Sequence, residues 1–491
     1  MFSNLFKIFE DKQHTLWFVG GFVRDILEAR LKDQIWQLNY SSPAINATHP
    51  KHEEKVWQRA TVGLADVDFA TSAKPEETIS ILEANGLKTI LIGVEFGTIQ
   101  TFVNDVKVEI TTFRSSESYK KGSRKPSVVF GKDIIEDLAR RDFTCNAIAM
   151  DKNLNIIDPF GGQMDIEQNV LFTPIDSEIS FSDDPLRMLR CCRFVNKGFD
   201  TSNAIEEAML KLSPKIHEIS QERIFEEVTK ILLANKQDVS WGFQTMIDSG
   251  LLKEIFPELQ VVVDFKQNQG KYHSKLVWPH TLQVVASCPL KSETRWAGLF
   301  HDVAKPQTYS ENEVDGVHFI GHDKAGADIW ETVATRLKVG NEFKDYVKFL
   351  IFEHLTISQL CRQDKVSDKT LRRLIFRAKT KERLKDLFDL SRADITSHNP
   401  AIVKDRIEKC NILEERIWKL MENNILSLKF PKGTANQISE YLGVDGPLLG
   451  KVMKALLQKL QDGEITLDSD ITVEAKIALV EINGNAKDLE A

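Results

Sequence analysis

The sequence predicts an α+β protein, a small mixed-sheet head followed by a long all-helical body. Up to about residue 150, short β-like runs such as 88–93 and 97–103 alternate with helical stretches. Beyond that point nearly every segment has helical spacing, as in 204–212 and 222–232. At 491 residues the chain exceeds what one core usually supports, so two to four domains are expected.

In chain order, the apolar run Leu16-Trp-Phe-Val19 breaks at Gly20-Gly21 and resumes as a helix carrying Arg24. Such a turn lets backbone N–H groups approach an anion, and the helix N-terminus and an arginine fork add positive charge. A purely structural glycine turn has the same pattern. Segment 37–55, rich in Asn, Ser, Pro and His, reads as an inserted loop. Next, Asp66 and Asp68 stand one residue apart on a strand, so their carboxylates point the same way and repel unless a cation sits between them. Mg²⁺ held jointly by carboxylates and substrate phosphates is the usual occupant. In strand 106–112, alternation places Lys107, Glu109 and Thr111 opposite Val108 and Ile110, making Glu109 a third metal-associated carboxylate.

The helix carrying Glu136, Arg140 and Arg141 supports either phosphate binding or a plain i,i+4 ion pair of Glu136 with Arg140. In Asp183-Asp184-Pro185-Leu186-Arg187, Asp184 and Arg187 lie three apart, predicting one helix face. A carboxylate acceptor beside a guanidinium donor matches cytosine and adenine, which present an exocyclic amine beside an unprotonated ring nitrogen. It mismatches uracil and guanine. Asp184 also fits a helix cap before Pro185, and the two roles are compatible.

Five ordered motifs, Val19-Gly-Gly-Phe-Val-Arg24-Asp25, Asp66-Val-Asp68, Glu109-Ile-Thr-Thr-Phe-Arg114, Arg140-Arg-Asp-Phe-Thr-Cys-Asn146 and Asp183-Asp-Pro-Leu-Arg187-Met-Leu-Arg190, resemble those of the CCA-adding tRNA nucleotidyltransferases. These form the bacterial and eukaryotic class within the poly(A) polymerase superfamily, whose members commonly carry Glu-Asp where this chain has Asp183-Asp184. The resemblance implies two metal ions on Asp66 and Asp68, activation of the primer 3′-hydroxyl, and in-line attack on the α-phosphorus of CTP or ATP with loss of pyrophosphate. It further implies that Gly20, Gly21, Arg24, Arg140, Arg141, Asp142, Asn146, Asp184, Arg187 and Arg190 bind nucleotide, with Asp142 and Asn146 on the sugar hydroxyls. The loop 115–126 is the expected mobile element for terminal A addition.

A second resemblance, to the HD superfamily of metal-dependent phosphohydrolases, rests on His280, His301-Asp302 and Asp394, extended by His322 and His354. Mixed nitrogen and oxygen ligands suit Mn²⁺, Ni²⁺ or Co²⁺. The expected organisation is a nucleotidyltransferase head at 1–150, a helical base- and RNA-binding region at 151–255, an HD domain at 256–400 and a helical tRNA-binding body at 401–491. Alternative activities are poly(A) polymerase-like RNA tailing and HD-type hydrolysis of RNA ends.

The formal net charge of −8 announces no nucleic-acid binder, so RNA contacts must be local. Basic clusters occur at Lys120-Lys121, Arg124-Lys125 and along 369–379, the last equally readable as a solvated helix face. Gly443, Gly446 and Gly450 suggest a helix-turn-helix with a close backbone approach or helix packing. The six cysteines lack Cys-x-x-Cys spacing and read as reduced cytosolic thiols. With no secretory pattern at the start and no run of about 18 apolar residues, a cytoplasmic protein without membrane partners is expected.

Overall fold

The computed structural model describes residues 2–40, 66–91, 93–119, 126–234, 238–267, 276–313, 316–397, 400–422, 426 and 428–487. Two compact units divide the chain, residues 1–260 with 335–339 and residues 261–334 with 340–491.

The first unit opens with α1 (Ser3–Glu10), β1 (Leu16–Val19), α2 (Gly20–Tyr40), β2 (Asp66–Thr71), α3 (Pro75–Ala84), β3 (Thr98–Val103) and β4 (Val106–Thr112). It continues with β5 (Arg114–Tyr119), β6 (Pro126–Phe130), α4 (Ile134–Ala139), β7 (Ala149–Met150) and β8 (Ile156–Ile157). The main sheet has the order β3-β4-β2-β1-β7-β8, with β2 and β4 parallel and the neighbouring pairs antiparallel. β4 alternates as expected, with Val108, Ile110 and Thr112 buried and Lys107, Glu109 and Thr111 half-buried. On the apolar side, the rings of Phe2, which caps α1, and Phe6 of α1 meet Phe18 and Phe69 at centroid distances of 5.1 to 5.8 Å. Burying rings of this size contributes about 2 kcal/mol each, which anchors one face of the sheet and leaves the other for polar groups.

Segment 88–93 differs from the expected strand. Ile90 makes a single bridge to Gln100, and Gly93 turns away at φ +91° before further pairing forms. Strand structure also extends past residue 150, through β8, the parallel pair β9 (Val170–Leu171) and β10 (Asp200–Thr201), and a hairpin in the second unit. Of the loop expected at 37–55, residues 37–40 instead continue α2 and the rest lies outside the described residues; of loop 115–126, residues 115–119 and 126 belong to β5 and β6, and 120–125, with Lys120, Lys121, Arg124 and Lys125, lie outside them.

The helical part of this unit comprises α5 (Gly162–Gln168), α6 (Ser177–Asp183), α7 (Leu186–Val195), α8 (Asn203–Leu212), α9 (Gln221–Leu233), α10 (Ser240–Asp248), α11 (Leu251–Ile255) and the start of α12 (Pro257–Asp264). α7 is held against α9 and α10. At Gly242 of α10 a Cβ would lie 2.5 Å from the Cys192 carbonyl oxygen, so only glycine permits that approach.

The second unit contains α13 (Val277–Ser287), α14 (Ser292–Phe300), α15 (Lys305–Thr308), the hairpin β11 (Tyr309–Asn312) and β12 (Gly316–Phe319), and α16 (His322–Arg336). It continues with α17 (Asn341–Leu360), α18 (Asp368–Ala378), α19 (Lys381–Thr396), α20 (Pro400–Glu422), α21 (Thr434–Leu442), α22 (Gly446–Asp462) and α23 (Ile471–Lys487). The tail has its own core of Ile438, Val452, Leu456, Leu460, Ala475 and Ala478. α21 and α22 form the expected helix-turn-helix, but a Cβ at Gly443, Gly446 or Gly450 would meet nothing within 4 Å. The first two serve as turn residues at positive φ, not as points of close approach. The basic helix α18 spends its cations locally, Arg373 on Asp462, Lys369 on Glu464 and Arg377 on Glu353.

Candidate active site and candidate metal centre

The polar face of the head opens on a cavity of about 340 Å³ lined by six arginines, 114, 140, 141, 187, 190 and 223, and three aspartates, 68, 142 and 184. Parallel pairing puts Glu109 directly across from Asp68, and Lys107 across from Asp66, so the three carboxylate positions share one sheet face. Glu109 accepts from Lys107 Nζ at 2.9 Å and Gln100 Nε2 at 3.0 Å. The side chain of Asp66 lies outside the described residues. Gly20 sits at φ +67°, and a Cβ there would lie 3.1 Å from Arg141 Nη1 and 3.4 Å from Asp68 Oδ2. Gly20 is therefore pressed between the Asp68 carboxylate and the Arg141 guanidinium.

Asp137, which sequence reasoning passed over, organises the cationic wall. It is fully buried on α4, ion-pairs with Arg140 at 2.7 Å and Arg141 at 2.9 Å, and accepts from the Arg114 backbone N–H at 3.1 Å. Burial opposes its charge, yet Arg141 and Arg140 outweigh that penalty and pull its carboxyl down to about 2. The available signal was an acidic residue three and four positions before a pair of arginines. Arg114 and Arg223 were also missed as wall residues, and Arg223 has no local signal in an ordinary amphipathic helix.

Asp184 and Arg187 line one cavity, but not as one helix face. Asp184 is extended (φ −140°, ψ 95°) between α6 and α7, and accepts from the Leu186 N–H at 3.2 Å and from Arg223 Nη2 at 3.0 Å. The proline that follows keeps residue 184 out of the helix. Arg187 donates to Ser180 Oγ at 2.7 Å and to the Arg140 carbonyl.

Arg24, Asn146, Asp142 and Arg190 are joined to one another. Arg24 Nη1 donates to Asn146 Oδ1 at 2.7 Å, Asn146 Nδ2 to Asp142 Oδ1 at 2.9 Å, and Arg190 Nε and Nη2 to Asp142 Oδ2 at 2.8 and 2.5 Å. Arg24 is buried, bonded also to Asp25 and placed over the Phe194 ring at 5.2 Å. Burial opposes the Asp142 charge, but Arg190 and the Asn146 amide hold its carboxyl well below the ordinary range.

The second unit gathers all six expected HD positions. His280, His301 and Asp394 form one trio and Asp302, His322 and His354 another, with ligand-type atoms within 4.8 Å of one another in each. All six side chains are buried. Asp302 faces both trios, Oδ2 lying 3.1 Å from His280 Nε2 and from His301 Nε2, and Oδ1 3.4 Å from His322 Nε2. Nδ1 of His301, His322 and His354 meets the carbonyls of Gly298, Phe319 and Ile351 at 2.6 to 2.8 Å. Carbonyls only accept, so each Nδ1 carries a proton and each Nε2 is the atom turned toward the cluster. Ser397 Oγ donates to the Asp394 carbonyl, so His280 Nδ1 donates to Ser397 Oγ in the same way. The Nε2 atoms face each other at 3.2 Å in two pairs, His280 with His301 and His322 with His354, an arrangement that would suit cations between them. Burial and then the neighbouring His322 and His301 push His354 down to about 3, which keeps its ring neutral.

The first unit combines a mixed-sheet head with an arginine-lined cleft, the second is helical with a buried histidine-aspartate cluster, and family models match each of them. Residues 16–172 match the poly A polymerase head domain, 198–262 the probable RNA and SrmB-binding site of polymerase A, and 272–398 the HD domain. The resemblance to CCA-adding enzymes holds in the relatives: one from Geobacillus kaustophilus (strain HTA426) is 34% identical over 287 residues, 58% of each chain. Another, from Geobacillus thermodenitrificans (strain NG80-2), is 42% identical over 220 residues, 45% of this chain and 46% of that protein. The matched stretch thus spans about half the length of these curated relatives. The solved Bacillus stearothermophilus CCA-adding enzyme in complex with CTP superposes with a TM-score of 0.62 at 23% identity, covering 99% of this chain and 97% of that one. A CCA-adding enzyme with ATP gives 0.56 at 18% identity, covering 97% and 94%. At these identities the likeness is one of fold. Among the described residues, no helix is long and apolar enough to cross a membrane.

Proposed function

We propose that this protein adds CCA to the 3′ end of tRNA without a nucleic-acid template, using CTP and ATP and releasing pyrophosphate. The observation that carries the reading is the cleft itself, in which Asp68 faces a wall of six arginines. The strand alternation of Asp66 and Asp68 and the pairing of Asp68 with Glu109 make an oxygen-only donor set that fits Mg²⁺. Bound there, Mg²⁺ would supply charge neutralisation and lower the barrier to deprotonating the primer hydroxyl. Arg140 and Arg141, held by Asp137, present cations to the triphosphate, and the Gly20-Gly21 turn gives backbone N–H groups room beside it. Asp184 accepts from the exocyclic amine of cytosine or adenine while Arg187 donates to the ring nitrogen. A wrong base leaves buried groups unpaired, worth a discrimination of about 10⁴.

The HD cluster adds a second reading for the body, binding of Mn²⁺, Ni²⁺ or Co²⁺ by His280, His301, Asp302, His322, His354 and Asp394, with hydrolysis of RNA-end phosphates as its chemistry. It also favours CCA addition over poly(A) tailing, whose bacterial enzymes do not normally carry these stations. Six buried free cysteines agree with a cytoplasmic setting. The deciding experiment incubates purified protein with tRNA ending at the discriminator base and resolves products by single nucleotides. Addition of C, CC and then CCA is expected. A long A ladder, or no extension with CTP and ATP, overturns the reading.

A further inference from the structure

We propose that Cys361 and Cys410 form a reversible disulfide, a modification site for hydroperoxides that ties the end of α17 to α20. The proposal goes beyond the nucleotidyl-transfer reading and depends neither on it nor on metal at the histidine cluster.

The fold brings the two residues together. Cys361 closes α17 as its C-terminal cap, and Cys410 lies midway along α20, which packs against α17, α18 and α19. The two side chains meet inside that junction, the Cys410 thiol donating to the Cys361 sulfur, and they are 0% and 2% exposed. Thiols in mutual contact on two packed helices already have the proximity that a disulfide needs, so the bond asks for a turn of side chains and not for a movement of helices. In sequence they stand far apart, and neither has a Cys-x-x-Cys neighbour that would signal the pairing.

The pair is also asymmetric, as stepwise oxidation requires. The Cys410 S–H, followed by the Lys409 and Arg406 cations, holds the Cys361 thiol below its ordinary value against the opposing effect of burial. The same contact, with burial, pushes Cys410 up, and burial is the largest cause that pushes up Cys145, Cys191, Cys192 and Cys288. Cys361 is therefore the attacking thiol and Cys410 the resolving one. Access comes from the helix end. Arg362, Gln363, Asp364 and Lys365, which follow Cys361, are exposed, so unwinding the last residue of α17 opens its sulfur to solvent while Cys410 stays packed.

The Cys361 thiolate attacks one oxygen of hydrogen peroxide, the O–O bond breaks, and the other oxygen leaves as water once protonated, giving a sulfenic acid. The Cys410 thiol loses its proton and attacks that sulfur, the S–S bond forms, and the sulfenic oxygen leaves as a second water. Two thiols are oxidised by two electrons, one peroxide is reduced, and a dithiol reductant restores the pair by exchange. The link closes the segment that carries α18, α19 and Asp394, and it involves no residue of the first unit.

The test treats the full chain with a few equivalents of hydrogen peroxide at pH 7, blocks free thiols by alkylation and maps tryptic peptides without reduction. Expected is peptide 349–362 joined to 410–416, about 2 Da lighter than the two free thiol peptides together and separated again by dithiothreitol. In Cys410→Ala, dimedone should trap a sulfenic acid at Cys361; in Cys361→Ala, oxidation at Cys410 should be at least about tenfold slower. Peroxide that links other cysteines, that oxidises Cys361 beyond sulfenic acid without a link, or that joins the two peptides only in urea-unfolded protein overturns the proposal. Faster trapping at Cys410 than at Cys361 overturns the assigned order of attack. The mapping reads the wild-type protein, so the decision stands even where a variant fails to fold.

Discussion

Replacing Asp137 by Asn keeps its shape and removes its charge from between Arg140 and Arg141. The folded-state carboxyl stands at about 2 against an ordinary 3.8, and a difference of that size, at about 1.4 kcal/mol per pH unit, is worth about 2 kcal/mol to the head in the ionised form. Because the folded value is the lower one, that contribution is fully present above about pH 4 and is lost as pH falls through about 2. The substitution would remove it at neutral pH and leave two partly buried guanidinium groups without their shared anion, so a loss of about 2 to 4 kcal/mol is expected. Hydrogen exchange of the β1, β2 and β4 amides reads this loss in the head alone. Between pH 5 and pH 2.5 the difference between wild type and Asp137→Asn should shrink. A variant within about 0.5 kcal/mol of wild type at pH 7, or a difference that does not change with pH, refutes the assignment of Asp137 as the counterion of the wall.

Three further outcomes are expected. Asp68→Asn should abolish nucleotide addition while leaving tRNA affinity within about threefold by filter binding, since the charge it removes faces the cleft and not the phosphate backbone; retained turnover contradicts the metal assignment. Gly20→Ala, which forces a Cβ to within 3.1 Å of Arg141 Nη1 at φ +67°, should raise the CTP and ATP KM at least about tenfold in steady-state assays. Replacing His301 and Asp302 by Ala should remove Mn²⁺, Ni²⁺ or Co²⁺ from reconstituted protein, as read by elemental analysis, and leave CCA addition in place. Equal metal content in variant and wild type would make these side chains structural.

The sequence by itself determined two periodic and local features, the alternation that puts Glu109 on the polar side of β4 and the glycine pair that opens α2, each written in spacing that survives folding unchanged. The six HD stations were legible through the family resemblance. The shortfalls of the sequence have physical causes. Residues 88–93 are as apolar as a strand, but Gly93 turns the backbone after one bridge. Asp184 and Arg187 are three apart, but Pro185 keeps the first outside the helix. Tertiary structure alone decided which partner each charge takes. Arg24 and Asn146 stand 122 positions apart and Asp142 and Arg190 48, yet each pair is bonded, because a buried charge must find a partner through space. That requirement paired Arg24 with Asn146, made Asp137 the counterion of the arginine wall, and set Asp302 against both pairs of histidines.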